Sequence, residues 1–142
     1  MKLPTHIKCM QSIKIDVIRG LLCCAFEGGS NYWIDRIYPN YPAHMHDNDY
    51  REGGSMQPAD QYWHWCQLLP TTNGSVDVYA IGIDSNDGLQ CYTLDLTRIQ
   101  TGLQLLAEKH PRHFADVLTE RDDATTGDVF LQLCVFGEVI YG

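Results

Sequence analysis

Apolar side chains recur at helical spacing early in the chain: Ile15, Ile18, Leu22 and Phe26, with Leu21 and Ala25 widening the stripe. The pattern predicts a helix that opens at Ser12 or Asp16 and runs to about Glu27, with Ser12 suited to be its N-cap. Gly28-Gly29 should close it, one of the pair taking the left-handed backbone that glycine tolerates. Residues 30–34 and 36–38 are aromatic-rich and strand-like, and so are residues 62–69, which Pro70 should end. Between them, residues 39–61 hold three prolines, Gly53-Gly54, two histidines and several acids with little periodicity, and read as a long irregular excursion.

The second half is more regular. Val76, Val78, Ala80 and residues 81–83 form one arm of a β-hairpin and residues 89–94 the other, around the turn-forming Asp84-Ser85-Asn86-Asp87-Gly88. Asp95 should cap a helix carrying Leu96, Ile99, Leu103 and Leu106 to about Lys109, and Pro111 suits the first turn of a short helix through Phe114, Val117 and Leu118. The last helix is apolar nearly all round from Val129 to Phe136 and should therefore be central; Thr125-x-x-Asp128 resembles a capping box, and Gly137 should end the helix before a closing strand at 139–141. Strands grouped before helices favour one α+β domain over residues 1–142, an antiparallel sheet of three to four strands against about four helices. Trp33 is expected to pack on the last helix, whose apolar circumference needs large partners.

A length of 142 residues suits one domain, and 44% hydrophobic against 20% charged residues is ordinary globular usage. Charge changes the picture. The net charge of −8 excludes a generic basic DNA-binder, so no direct nucleic-acid contact is expected. Residues 52–97 hold six acids (Glu52, Asp60, Asp77, Asp84, Asp87, Asp95) and no Lys or Arg. Such a stretch implies either simple solubility or an acidic face that docks on a basic partner; the candidate face is Asp60, Asp77, Asp84, Asp87 and Asp95. No apolar run reaches the roughly 18–20 residues of a membrane span. The opening residues lack an apolar signal core and read as a mature start, so neither membrane nor export is expected.

The six cysteines include no Cys-x-x-Cys, and Cys23, Cys24 and Cys134 sit within apolar runs, which suggests reduced, structural thiols and a cytoplasmic setting. No phosphate loop, dinucleotide fingerprint, nucleophile elbow or zinc-protease helix is present, and no catalytic residue or cofactor is expected. His44-x-His46 beside Asp47 and Asp49 is a weak metal candidate, with His64-x-Cys66 at the same spacing; polar loops carry such residues without a metal. Asp122, Asp123 and Asp128 suit a hard cation or, more simply, the positive end of the last helix. Glu27, Ser30, Asn31, Tyr32 and Trp33, at a helix-to-strand corner, could instead line a small-ligand pocket.

Two segments, residues 25–33 (Ala-Phe-Glu-Gly-Gly-Ser-Asn-Tyr-Trp) and 123–142 with its Phe-Gly-Glu-Val-Ile-Tyr-Gly ending, resemble a family of small phage and prophage proteins. Tyr92-Thr93-Leu94-Asp95-Leu96 fits the same pattern. The resemblance implies a phage accessory protein without enzymatic activity, of the kind that inhibits a host defence system as anti-CRISPR proteins do. Its partner would be a host defence protein or ribonucleoprotein with a basic surface, in the host bacterial cytoplasm. The alternatives are a sponge for a nucleotide signal and a phage structural or replication-associated role.

Overall fold

The computed structural model describes residues 1–43, 64–81 and 88–142. It is α+β. The elements, in chain order, are α1 (Ile15–Cys24) continued by a π-turn (Ala25–Gly29), β1 (Ile34–Asn40), α2 (Trp65–Leu68) running into a 3-10 turn (Leu69–Thr71), β2 (Ser75–Ile81), β3 (Leu89–Leu94), α3 (Leu96–Lys109), α4 (Pro111–Leu118) and α5 (Ala124–Phe136). The strands form an antiparallel sheet in the order β1-β2-β3. Val76, Val78, Ala80 and Leu94 are buried on one face of it. A bulge between Ile34 and Arg36 resets the alternation of β1, after which Ile37 pairs with Val78 and Pro39 with Val76. Pro39 is tolerated because β1 is an edge strand.

Helix α5 is the centre of the core, as its all-round apolar pattern predicts; Thr126 to Asp128 and Phe130 to Val135 are buried without a break. Two glycines let neighbouring helices reach it. A side chain on Gly102 of α3 would strike Cys134, and one on Gly127 of α5 would lie 2.8 Å from Cys24 Cβ and 2.9 Å from the Leu21 carbonyl of α1. Arg98 of α3 donates to the Val135 carbonyl at 3.1 Å, serving the carbonyl end of α5.

Several local expectations are corrected. Residues 65–71 are helical rather than extended. His64 accepts from the Cys66 N–H through Nδ1 at 3.4 Å and Gln67 Oε1 accepts from the His64 N–H at 2.9 Å, a reciprocal cap that an alternation count does not register. Cys66 to Pro70 are buried in succession, and a fully buried run has no period with which to distinguish helix from strand. Pro70 opens the 3-10 turn instead of ending a strand. Ser12 does not cap α1: the N-cap position is Lys14, without a side-chain bond. Asp123, not Thr125, caps α5, accepting from the Thr126 N–H at 3.0 Å. Residues 139–141 form no strand. The paired hairpin arms over Ser75–Ile81 and Leu89–Leu94, the Asp95 cap (Arg98 N–H to Oδ1, 2.9 Å), Pro111 in the first turn of α4 and the left-handed Gly137 (φ 77°) are as expected; Ile83 and residues 84–87 of the turn lie outside the described residues.

Candidate functional site

The densest polar construction among the described residues joins residues 30–33 to the last helix and to residues 140–141. Helix α1 leaves through its π-turn, where the Ser30 N–H donates to the Ala25 carbonyl five residues back at 2.8 Å. Neither Gly28 nor Gly29 has positive φ, contrary to expectation. The glycine is needed for space: a Cβ on Gly29 would strike the Ala124 carbonyl at the start of α5, while one on Gly28 would meet nothing. The wider π-turn and this close approach lay residues 30–33 against the first turns of α5.

There they enclose Asp128, which is only 8% exposed. Its Oδ1 accepts from Ser30 Oγ at 2.8 Å and Trp33 Nε1 at 2.7 Å; its Oδ2 accepts from Tyr32 Oη at 2.6 Å and Gln132 Nε2 at 3.1 Å. Four neutral donors thus hold one buried carboxylate, each bond strengthened by the acceptor's charge. Partial desolvation at the hydroxyl, followed by its bond to the Asp128 carboxylate, pushes Tyr32 up to about 12, so at neutral pH it remains a donor.

Gln132, one turn further along α5 and fully buried, ties in the chain's last residues. Its Oε1 accepts from the N–H groups of Ile140 and Tyr141 at 3.0 and 2.8 Å, and its Nε2 donates to the Tyr141 carbonyl at 2.9 Å. This one side chain supplies the bonds that a closing strand would have taken from a sheet. Trp33 lies in an aromatic cluster with Tyr141 (parallel rings, centroids 6.0 Å apart) and Phe136 (5.1 Å), and Tyr32 meets Tyr141 edge-on at 6.3 Å. Trp33 therefore packs on α5 as expected, and is buried.

Of the five residues proposed to line a pocket, Ser30 and Trp33 are buried and bonded to Asp128, and Glu27 and Asn31 are exposed. Tyr32 alone borders a hollow of about 470 Å³, which it shares with Gly29, Thr125, Val129, Val139 and Tyr141. Sequence reasoning assigned Asp128 to the helix end and did not assign Gln132; a buried acid and amide one turn apart in an otherwise apolar helix were the available signal.

The acidic candidates divide. Asp77 lies on the sheet face turned away from the helices and accepts from Thr93 Oγ1 at 3.0 Å; Asp95 is occupied as the cap of α3. Asp60, Asp84 and Asp87 lie outside the described residues, as do His44, His46 and most of the 39–61 excursion. On the same outer face the register aligns Arg36 with Tyr79 and Cys91, and Tyr38 with Asp77 and Thr93. The Arg36 guanidinium sits 5.0 Å from the Tyr79 ring centroid, and Tyr38 meets Tyr79 edge-on at 5.7 Å.

No family model matches the chain, and neither a curated protein nor a solved structure matches it.

Among the described residues no group of three His, Cys, Asp or Glu side chains is placed to hold a metal ion. No helix among them is long and apolar enough to cross a membrane. All six cysteines are free thiols. Cys66 is buried, and desolvation pushes it up to about 12; Cys134 is buried and pushed up further by the same cause. Cys9 and Cys91 are exposed, which departs from the expectation of uniformly structural thiols.

Proposed function

We propose that the chain is a non-enzymatic protein-binding module that docks its open sheet face and the adjoining acidic segment onto a Lys/Arg-rich partner. The observation that carries this reading is the composition of that face. It presents Tyr79 in contact with Arg36 and Tyr38 on the face that carries Asp77, and Tyr79 and Asp77 come from a sequence stretch, residues 52–97, that bears acids and no bases. Tyr and Arg are the side chains that supply binding energy at protein interfaces, and a one-signed field adds orientation and on-rate. The Asp128 cluster, by contrast, spends its hydrogen bonds internally and serves the fold.

The resemblance to small phage proteins supports a more specific form of the proposal. The partner is a component of a bacterial defence system, bound where that component grips nucleic acid, and the outcome is inhibition. Tagged wild-type protein and the triple variant Asp77→Asn/Asp84→Asn/Asp87→Asn, each passed over extract from a defence-carrying host, provide the test. A basic defence component retained by the wild type, released by high salt and lost with the variant is the expected result; retention of the same component by the triple variant overturns the acidic-face mechanism. A second reading, capture of a small ligand in the hollow beside Tyr32, is favoured by the aromatic walls there. It predicts a compound in the mass spectrum of denatured, purified protein.

A further inference from the structure

We infer that the outer edge of β3 takes up an extended segment of the partner as an added strand, one in which apolar residues alternate with Lys or Arg. The inference rests on the proposed function and names how the basic partner is held.

The two edges of the sheet are built differently. β1 is blunted by devices that keep an edge from pairing: a bulge between Ile34 and Arg36 breaks its regularity, and Pro39 has no N–H to offer. β3 has neither. Leu89 to Leu94 pair with β2 in unbroken register, and the strand contains no proline, glycine or charged residue. Every second residue of such a strand turns its N–H and C=O away from its neighbour. Among the described residues, no backbone group of residues 89–93 bonds outside the pairing with β2, and Leu89, Cys91 and Thr93 are exposed. β3 therefore offers a regular row of donors and acceptors, the template on which an extended peptide adds to a sheet.

The two faces beside that edge select what lies along it. On the inner face Gln90 and Tyr92 are half-buried, and Tyr92 meets Phe136 edge-on at 5.1 Å, so the apolar core reaches the rim and an added strand needs apolar side chains there. On the outer face the added strand lies about 5 Å from β3 and about 10 Å from β2. A Lys or Arg opposite Thr93 extends across it toward Asp77, whose Oδ1 accepts from Thr93 Oγ1 at 3.0 Å and whose other oxygen has no partner among the described residues. In the sequence Asp87 and Asp95 flank β3, and residues 52–97 hold no base to repel a cation. The same charges disfavour a second copy as the occupant: two chains of −8 repel, and one β3 brings no cation to another.

Solution NMR of the full chain, titrated with the acetylated and amidated peptide Lys-Val-Lys-Val-Thr-Val-Lys, tests this through amide shifts and hydrogen exchange. Saturable binding that slows exchange at alternate residues of 89–94, and that weakens as salt rises, is expected. A form of the peptide N-methylated at every residue keeps the side chains and charge and loses every backbone donor, so it should bind roughly tenfold or more weakly. The peptide with glutamate in place of lysine should lose a similar factor at low salt, and Asp77→Asn should weaken the parent peptide about threefold. Absence of binding at millimolar peptide overturns the inference. So does a methylated form that binds as tightly as the parent, or slowed exchange on β1 in place of β3; either result leaves a basic partner on the sheet face standing. Equal binding of the lysine and glutamate peptides overturns the basic-partner reading as well. Slowed exchange at 89–94 on concentrating the protein alone would give the edge to a second copy and overturn the inference too.

Discussion

Replacing Asp128 with alanine removes the shared acceptor of four donors, and their exposures determine the cost. Trp33 Nε1 and Ser30 Oγ are buried and lose their carboxylate partner; an orphaned buried donor costs about 1–3 kcal/mol, so the two together cost roughly 2–6 kcal/mol. Tyr32 is 59% exposed and its hydroxyl recovers water, while Gln132 Nε2 keeps the Tyr141 carbonyl. Against this, alanine removes a carboxylate that was costly to bury. The expected net loss is about 3 kcal/mol, a large fraction of a typical domain's 5–15 kcal/mol. Asp128→Asn separates charge from shape. Its remaining oxygen still serves Ser30 and Trp33, its amide can donate to the Tyr32 hydroxyl, and only Gln132 Nε2 is left facing another donor. That variant should lose about 1 kcal/mol. Urea unfolding followed by far-ultraviolet circular dichroism measures both, with the slope against denaturant checked for constancy. An alanine variant within 1 kcal/mol of wild type, or an asparagine variant less stable than the alanine one, would refute the account of Asp128 as the keystone of residues 30–33.

Three further predictions concern positions with contrasting surroundings. Gly29→Ala should destabilise by roughly 1–3 kcal/mol because its Cβ would strike the Ala124 carbonyl, whereas Gly28→Ala, with open space and an ordinary φ, should be neutral or slightly stabilising; paired thermal melts decide it. Trp33→Ala should cost roughly 3–5 kcal/mol by the same measurement, and an unchanged melting temperature with lost partner binding would make Trp33 a recognition residue instead. Asp123→Ala should remove the α5 cap at a cost of about 1 kcal/mol. The N–H of Thr126 holds the Asp123 carboxyl below its usual 3.8, so this contribution is complete above that value and is lost as the pH falls through the lower folded-state pKa; an acid titration of stability should show the wild-type advantage over the variant vanishing there.

Where the sequence carried a period or a cap, it was legible. The stripe of α3 with its Asp95 cap, the two arms of the hairpin, the Gly137 stop and the central position of α5 all follow from local rules, because each depends on residues within a few positions of one another. Residues 65–69, within the 62–69 segment expected as a strand, are helical instead because burial in succession erases the period, and the reciprocal His64–Gln67 cap is the local sign of a helix. The Asp128 cluster was legible in its parts and not in its assembly. Residues 25–33 and 123–142 stand out as two blocks, and Trp33 is expected on α5, but Ser30 and Asp128 are 98 residues apart and no local preference states that they meet.

The tertiary structure alone decided three things. It made Gly29 a point of contact with Ala124 instead of a left-handed stop, since space is set by the neighbour and not by the residue. It turned Asp128 from a helix-end acid into a buried acceptor, because Asp123 takes the capping position and residues 30–33 bring three donors to Asp128 from a distant part of the chain. And it gave the last residues a side chain, Gln132, in place of a strand partner, which suffices because one amide offers both the donor and the acceptor that an extended backbone requires. The sequence by itself determined the class of fold, the central helix and the sign of the charge, all of which depend on composition and spacing; which polar groups face each other depends on how the elements close, and that was settled only in three dimensions.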